Sequence, residues 1–197
     1  METQENPSEI GQQYFYGIGA RKSYSKAFPY LLKAARLNDP HCQNLVGYCY
    51  DRGLGVKKNM QSALSWYRRA ARNEDKDALY NLALLYETGQ GVRADLKRAF
   101  SFYKRAAELG DTSAQCNLGV AYLEGLGTHQ NLEAGINWLR KAAQRGDSKA
   151  QYNLGRAYLY GEGVRRNLNN ARRWLKKAAE QGHKNAATSL KSQEATI

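Results

Sequence analysis

AQYNLGRAYLYGEGVRRNLNNARRWLKKAAEQGHKN, residues 150–185, decides the fold, because most of the chain is built from copies of it. The same skeleton begins 36 residues earlier at Ala114, as AQCNLGVAYLEGLGTHQNLEAGINWLRKAAQRGDSK, and three further steps of 36 exhaust the chain. Glycine pairs fix the register: Gly17/Gly19, Gly53/Gly55, Gly89/Gly91, Gly125/Gly127 and Gly161/Gly163 follow one another without insertion or deletion. A period of this length marks a repeat array, in which each supersecondary unit buries its apolar face against its neighbours.

The aligned copies can be read down columns. Ile10, Val46, Leu82, Leu118, Leu154 and Leu190 form an aliphatic column. Four residues before it stand Cys42, Ala78, Ala114, Ala150 and Ala186, and four after it Tyr14, Tyr50, Tyr86, Tyr122 and Tyr158. A spacing of four puts all three columns on one stripe and predicts a first helix, helix A, with that stripe toward the core. Gly11, Gly47, Gly119 and Gly155 sit between the aliphatic and tyrosine columns. Glycine costs a helix about 1 kcal/mol against alanine, so its recurrence predicts a close approach by the neighbouring helix. The first loop glycine is expected to end helix A in a left-handed residue.

Ser23, Asn59, Asp95, Asn131 and Asn167 are expected to cap a second helix, helix B. Ala27, Ala63, Ala99, Gly135 and Ala171 follow, then Tyr30, Trp66, Phe102, Trp138 and Trp174, then Ala34, Ala70, Ala106, Ala142 and Ala178. These spacings of three and four predict one buried stripe with a large aromatic set between alanines. Asn38, Gly110, Gly146 and Gly182 mark the ends of helix B, and Asp39, Asp75, Asp111 and Asp147 the caps of the next helix A. Asn6-Pro7-Ser8-Glu9 reads as a capping box that starts the first helix late. Pro29 is expected to kink or shorten the first helix B, and residues 186–192 to form a terminal capping helix.

On these residues the chain resembles the Sel-1-like repeat family, relatives of the tetratricopeptide repeats. The pattern A-x-x-x-L-G-x-x-Y-x-x-G-x-G-V-x-x-(N/D)-x-x-x-A-x-x-(W/F/Y)-x-x-(K/R)-A-A-x-x-G recurs from residue 6 to about residue 190. Thr128 in place of the loop valine, Gly135 in place of an alanine and the divergent loop from Ala20 to Ser23 are the departures. The resemblance implies an all-α, right-handed α-solenoid superhelix of five 36-residue helix-loop-helix repeats with a C-terminal cap. The units run at about 6–41, 42–77, 78–113, 114–149 and 150–185, within one domain over 1–197 whose termini are expected to be partly disordered. It further implies a role in protein–protein interaction, with helix A lining the concave face.

Helix A positions that differ between copies are then the candidates for partner contact, including the columns Asn44, Tyr80, Cys116, Tyr152 and Asp51, Glu87, Leu123, Leu159. Asn81, Asn117 and Asn153 recur one repeat apart; they could offer donor and acceptor to a peptide backbone or bond a neighbouring helix end. Tyr80, Asn81, Asn117, Tyr152, Asn153, Arg156 and Tyr160 make up the candidate groove for an extended or helical protein segment.

The 30 lysines and arginines exceed the 18 acids to give a formal charge of +12, which favours acidic partners without choosing among protein, nucleic acid and anionic surface. Basic pairs recur on helix B, and Arg165, Arg166, Arg172, Arg173, Lys176 and Lys177 concentrate toward its last copy. They read either as a solvated face whose stems cover aromatic surface or as a docking strip for an acidic partner or phosphate backbone. The competing function is a helical array that binds single-stranded RNA. Such an array would carry its basic readers on the inner helices, whereas these pairs lie on helix B.

His41, His129 and His183 fall at turns or loops of different repeats without metal-ligand spacing, so no metal is expected. Gly161-Glu162-Gly163 follows a helix and not a strand, which separates it from phosphate-binding loops. With no nucleophile elbow or paired catalytic carboxylates, no catalytic residue, cofactor or enzymatic activity is expected. Cys42 and Cys49 stand roughly 10 Å apart along one helix, too far for a disulfide. Three unpaired thiols, an opening METQENPSEI without signal-peptide character and no apolar run of membrane length predict a cytoplasmic protein.

Overall fold

Asp39, Asp75, Asp111 and Asp147 each turn a carboxylate oxygen onto the backbone amide three residues on, at 2.6–2.9 Å. Each thereby starts a helix A, at a gain of about 1 kcal/mol per cap. Asn59, Asn131 and Asn167 do the same for helix B. Ser23 departs from the expected pattern: its side chain makes no cap bond, and its hydroxyl faces that of Ser25 instead.

The computed structural model describes residues 6–194, and these form eleven α-helices and no strand. They are α1 (Pro7–Tyr16), α2 (Tyr24–Arg36), α3 (Pro40–Arg52), α4 (Met60–Arg72), α5 (Lys76–Thr88), α6 (Leu96–Glu108), α7 (Thr112–Glu124), α8 (Leu132–Gln144), α9 (Ser148–Tyr160), α10 (Leu168–Glu180) and α11 (Lys184–Glu194). The expected all-α array of five helix pairs and a terminal helix is borne out. Disorder expected at the extreme ends concerns residues outside the described ones. The helices divide into two compact units between Asp95 and Leu96. In the first, α1 to α5 pack each on the next; in the second, α6 to α11 do likewise.

The helix A stripe falls where its columns predict. Cys42, Ala78, Ala114, Ala150 and Ala186 have no accessible surface, nor have Val46, Leu82, Leu118 and Leu154. On helix B the two alanine columns are buried, but the aromatic column between them is not: Tyr30 is 38% exposed, and Trp66, Phe102, Trp138 and Trp174 are half-buried. The position one residue on carries the core instead, as Leu31, Tyr67, Tyr103, Leu139 and Leu175, all 2% exposed or less. At 100° per residue the two positions flank the line joining the alanines, each about 50° from it on opposite sides, and it is the later one that faces the neighbouring helices.

The recurrent glycine of helix A faces that same column. A Cβ on Gly47 would lie 2.7 Å from the Tyr67 ring, and one on Gly155 would lie 2.8 Å from Leu175 Cγ. Helix A then ends, as expected, in a left-handed glycine, Gly161 with φ +80° in the last repeat. After each such glycine the chain returns to donate a backbone N–H from the helix B cap to the carbonyl of the tyrosine column. Ser23 to Tyr14, Asn59 to Tyr50, Asp95 to Tyr86, Asn131 to Tyr122 and Asn167 to Tyr158 are all 2.8–2.9 Å. This repeated bond fixes the loop length and explains the absence of insertions. Gly127 serves a second need, because a Cβ there would collide with the backbone carbonyl of Leu96.

Three further readings are corrected. Pro29 does not shorten its helix, since α2 has the same 13 residues as the other helix B copies. Glu9 takes the Asn6 side-chain amide and not its backbone N–H, so the capping box is incomplete, although α1 does start late. Asn44, Asp51 and Cys116, placed among exposed helix A positions, are 3–8% exposed. A buried glutamine column escaped the sequence reading: Gln43, Gln115 and Gln151 donate to the carbonyls of Ala35, Ala107 and Ala143 at 3.1 Å, tying α3, α7 and α9 to the helix B before each; in α5 the position is Leu79.

Candidate protein-binding surface

In the second unit, α7 and α9 present their varying faces to an open hollow of about 900 Å³. Val120, Leu123 and Glu124 line it from α7, Asn153 and Arg156 from α9, and Gln130, Leu132 and the loop Gly161–Gly163 close its ends. Its floor is firm: Val120 and Leu123 pack on a buried cluster that includes Cys116, Ile136, Leu139 and Leu154. Gly163 holds the rim in place, since a Cβ there would sit 3.0 Å from Leu132 Cβ.

Gln130 donates its side-chain amide to the Leu123 carbonyl at 2.7 Å, whereas other polar groups around the hollow are not consumed internally. Among the described residues the Asn153 side chain has no hydrogen-bond partner, and Arg156, Glu124 and Glu162 form no ion pair. Arg156 is held over the Tyr160 ring, 5.9 Å from its centroid, and Tyr160 itself is 63% exposed. A cation on an aromatic plate flanked by two carboxylates and an unspent carboxamide can take up a main chain through the amide and side chains of either charge.

The other expected groove residues lie in different settings. Asn81, in the first unit, donates to Asn44 at 3.0 Å, so the two amides satisfy each other inside the array. In the second unit Cys116 stands where Asn44 stands in the first, and this leaves Asn153 without that partner. Tyr80 and Asn117 are half-buried, and Asn117 does not line the hollow. Tyr152 stacks on His183 with centroids 4.5 Å apart and packs with Leu175, Ala178, Ala186 and Leu190 against the terminal helix. The sequence reading thus brings Asn153, Arg156 and Tyr160 together and misses Gln130. Leu123 appeared only as one member of a varying column.

Arg165, Arg166, Arg172, Arg173, Lys176 and Lys177 are all exposed. Arg166 donates to the Leu159 carbonyl at 3.1 Å, and Lys177 lies over Trp174 at 4.9 Å. The same arrangement recurs as Lys141 over Trp138 at 4.0 Å and Arg69 over Trp66 at 4.7 Å. The half-buried tryptophans of helix B are therefore roofed by the basic column three residues on.

The sequence profile described as Sel1 repeat matches residues 9–39, 40–75, 76–111, 112–147 and 148–183. Among curated proteins no relative matches. Among solved structures, the chain is similar to a Sel1 repeat protein from Oxalobacter formigenes, with 36% identity over 94% of this chain and 76% of that one and a TM-score of 0.87. It is also similar to c5321, a protective antigen of uropathogenic Escherichia coli strains with an SLR fold, at 32% identity and a TM-score of 0.85, covering 93% of this chain and 39% of that one. The immunity protein PA5088 from Pseudomonas aeruginosa shares the fold at 22% identity and a TM-score of 0.62, covering 95% of this chain and 70% of that one.

Proposed function

Because the chain belongs to the Sel1 repeat family, whose members act as scaffolds for protein–protein interaction, we propose that it is a non-enzymatic adaptor. Its occupant is an extended segment of a partner protein, held in the hollow between α7 and α9. The observation that carries this reading is the unspent side chain of Asn153 beside an apolar floor at Val120 and Leu123. An amide fixed on a rigid helix can bond a partner's main chain in both directions, and the floor supplies a seat for its apolar side chains. Glu124 and Glu162 opposite Arg156 favour a segment that carries both signs of charge.

The test places a photo-crosslinking amino acid at Leu123, and separately at Lys176 on the outer helix, in protein exposed to native lysate. The reading expects a discrete crosslinked protein from position 123 and not from 176. Crosslinking confined to 176, or to nucleic acid, would overturn it.

A further inference from the structure

His41 and Asp77 occupy the same position in consecutive repeats, the second residue of α3 and of α5, and the repeat period brings them together with Asp75, the cap of α5. One ligand atom from each of the three lies within 4.8 Å of the other two, in a half-buried setting. Asp75 accepts from the Ala78 amide at 2.7 Å and also from the Asp77 backbone amide, contacts that hold its carboxylate at the start of α5. The Tyr16 hydroxyl stands 3.1 Å from His41 Nε2, and the two rings stack at an interplanar angle of 18°. This contact orients the imidazole from outside, as groups behind a metal-bound histidine commonly do.

Charge makes the cluster unusual for this chain. The protein carries 30 basic residues, yet among the described residues no lysine or arginine ion-pairs with Asp75 or Asp77. Two crowded carboxylates beside an imidazole gather three ligand atoms and negative charge at one place. Among the described residues the arrangement occurs at one level, and the column continues as Ser113 and Lys149.

We propose that His41, Asp75 and Asp77 form a binding site for one divalent transition-metal ion, with water completing its coordination. One imidazole nitrogen and two carboxylate oxygens suit zinc or manganese, at ligand distances of roughly 2.0–2.2 Å for zinc. The ion would tie the start of α3 to the start of α5 within the first unit.

Calorimetric titration of the chelator-stripped full chain with Zn²⁺ tests this, alongside His41→Ala and Asp77→Asn. The expected result is saturable one-to-one uptake by the wild type, weakened at least about tenfold in both variants. Absence of saturable uptake, or retention of wild-type affinity in either variant, would overturn the site. If a variant fails to fold, Mn²⁺ added to the wild type decides: amide signals around residues 16, 41 and 75–78 broaden first if the proposal holds, and broadening centred elsewhere refutes it.

Discussion

Leu175 packs against Gly155 so closely that a Cβ on the glycine would lie 2.8 Å from Leu175 Cγ and 3.2 Å from the Leu175 backbone nitrogen. The contact joins α9 to α10 and repeats as Gly119 on Leu139 and Gly11 on Leu31. Glycine is used there in spite of its cost to the helix, because the partner helix fills the space a methyl would need.

Gly155→Ala is therefore expected to destabilise the chain. Helix propensity alone would favour alanine by about 1 kcal/mol, but overpacking a tight core costs about 1–3 kcal/mol, so a net loss of about 1 kcal/mol is expected in denaturant unfolding. Unchanged or increased stability would mean that α9 and α10 can move apart freely.

Asp39 and Asp75 hold the same capping position with opposite electrostatic consequences. Burial alone would raise Asp39, but the Cys42 amide and the Ser8 hydroxyl outweigh it and hold the carboxyl below its usual value. For Asp75, burial and the neighbouring Asp77 prevail over the Ala78 amide and push the carboxyl up. A depressed carboxyl contributes stability that is present above its unfolded value and lost as pH falls through its folded value; a raised one weakens the fold as pH rises through the acid range. Asparagine also caps helices. In chelator at neutral pH, Asp39→Asn should lower the melting temperature and Asp75→Asn should leave it unchanged or raise it, and both differences should shrink toward the acid limit.

Burial pushes the Cys42 thiol up to about 11 and those of Cys49 and Cys116 up to about 12. All three are buried and unpaired. A thiol-specific reagent at neutral pH should label none of them in the native protein and all three in denaturant, because the thiolate is the reactive form. Rapid native labelling would show that the helix A interior opens readily.

The basic strip makes a separate prediction. With Lys141 and Lys177 lying over tryptophans on helix B, any RNA binding should be electrostatic and insensitive to sequence. Titration with single-stranded RNA across a salt series should show weak binding with a steep salt slope. Tight binding at physiological salt would favour the RNA-binding array instead.

The array was legible because its punctuation repeats without error: glycines at Gly161 and its equivalents, aspartate caps at Asp147 and its equivalents, and Ala150 and Leu154 at fixed spacing. The true centre of helix B was missed because Leu31, Tyr67, Tyr103, Leu139 and Leu175 change chemical type from copy to copy, while the aromatic column beside it drew the eye. Asparagines identical in sequence proved unequal in space. Asn81 meets Asn44 across 37 residues, and Asn153 has no such partner, a distinction set by a different residue one repeat away. The cluster at His41 is invisible in the sequence for a related reason: no single segment carries ligand spacing, and the repeat period supplies it between two.

Asn153 and Arg156 are the side chains on which a partner segment would depend most directly. Once the segment crosslinked from position 123 is identified, its affinity for the wild type and for the folded Asn153→Ala/Arg156→Ala double variant is the direct measurement. Loss of one hydrogen bond and one charged contact predicts binding weaker by about 10- to 100-fold. Equal affinity for the two proteins would contradict the assignment of the hollow as the binding site.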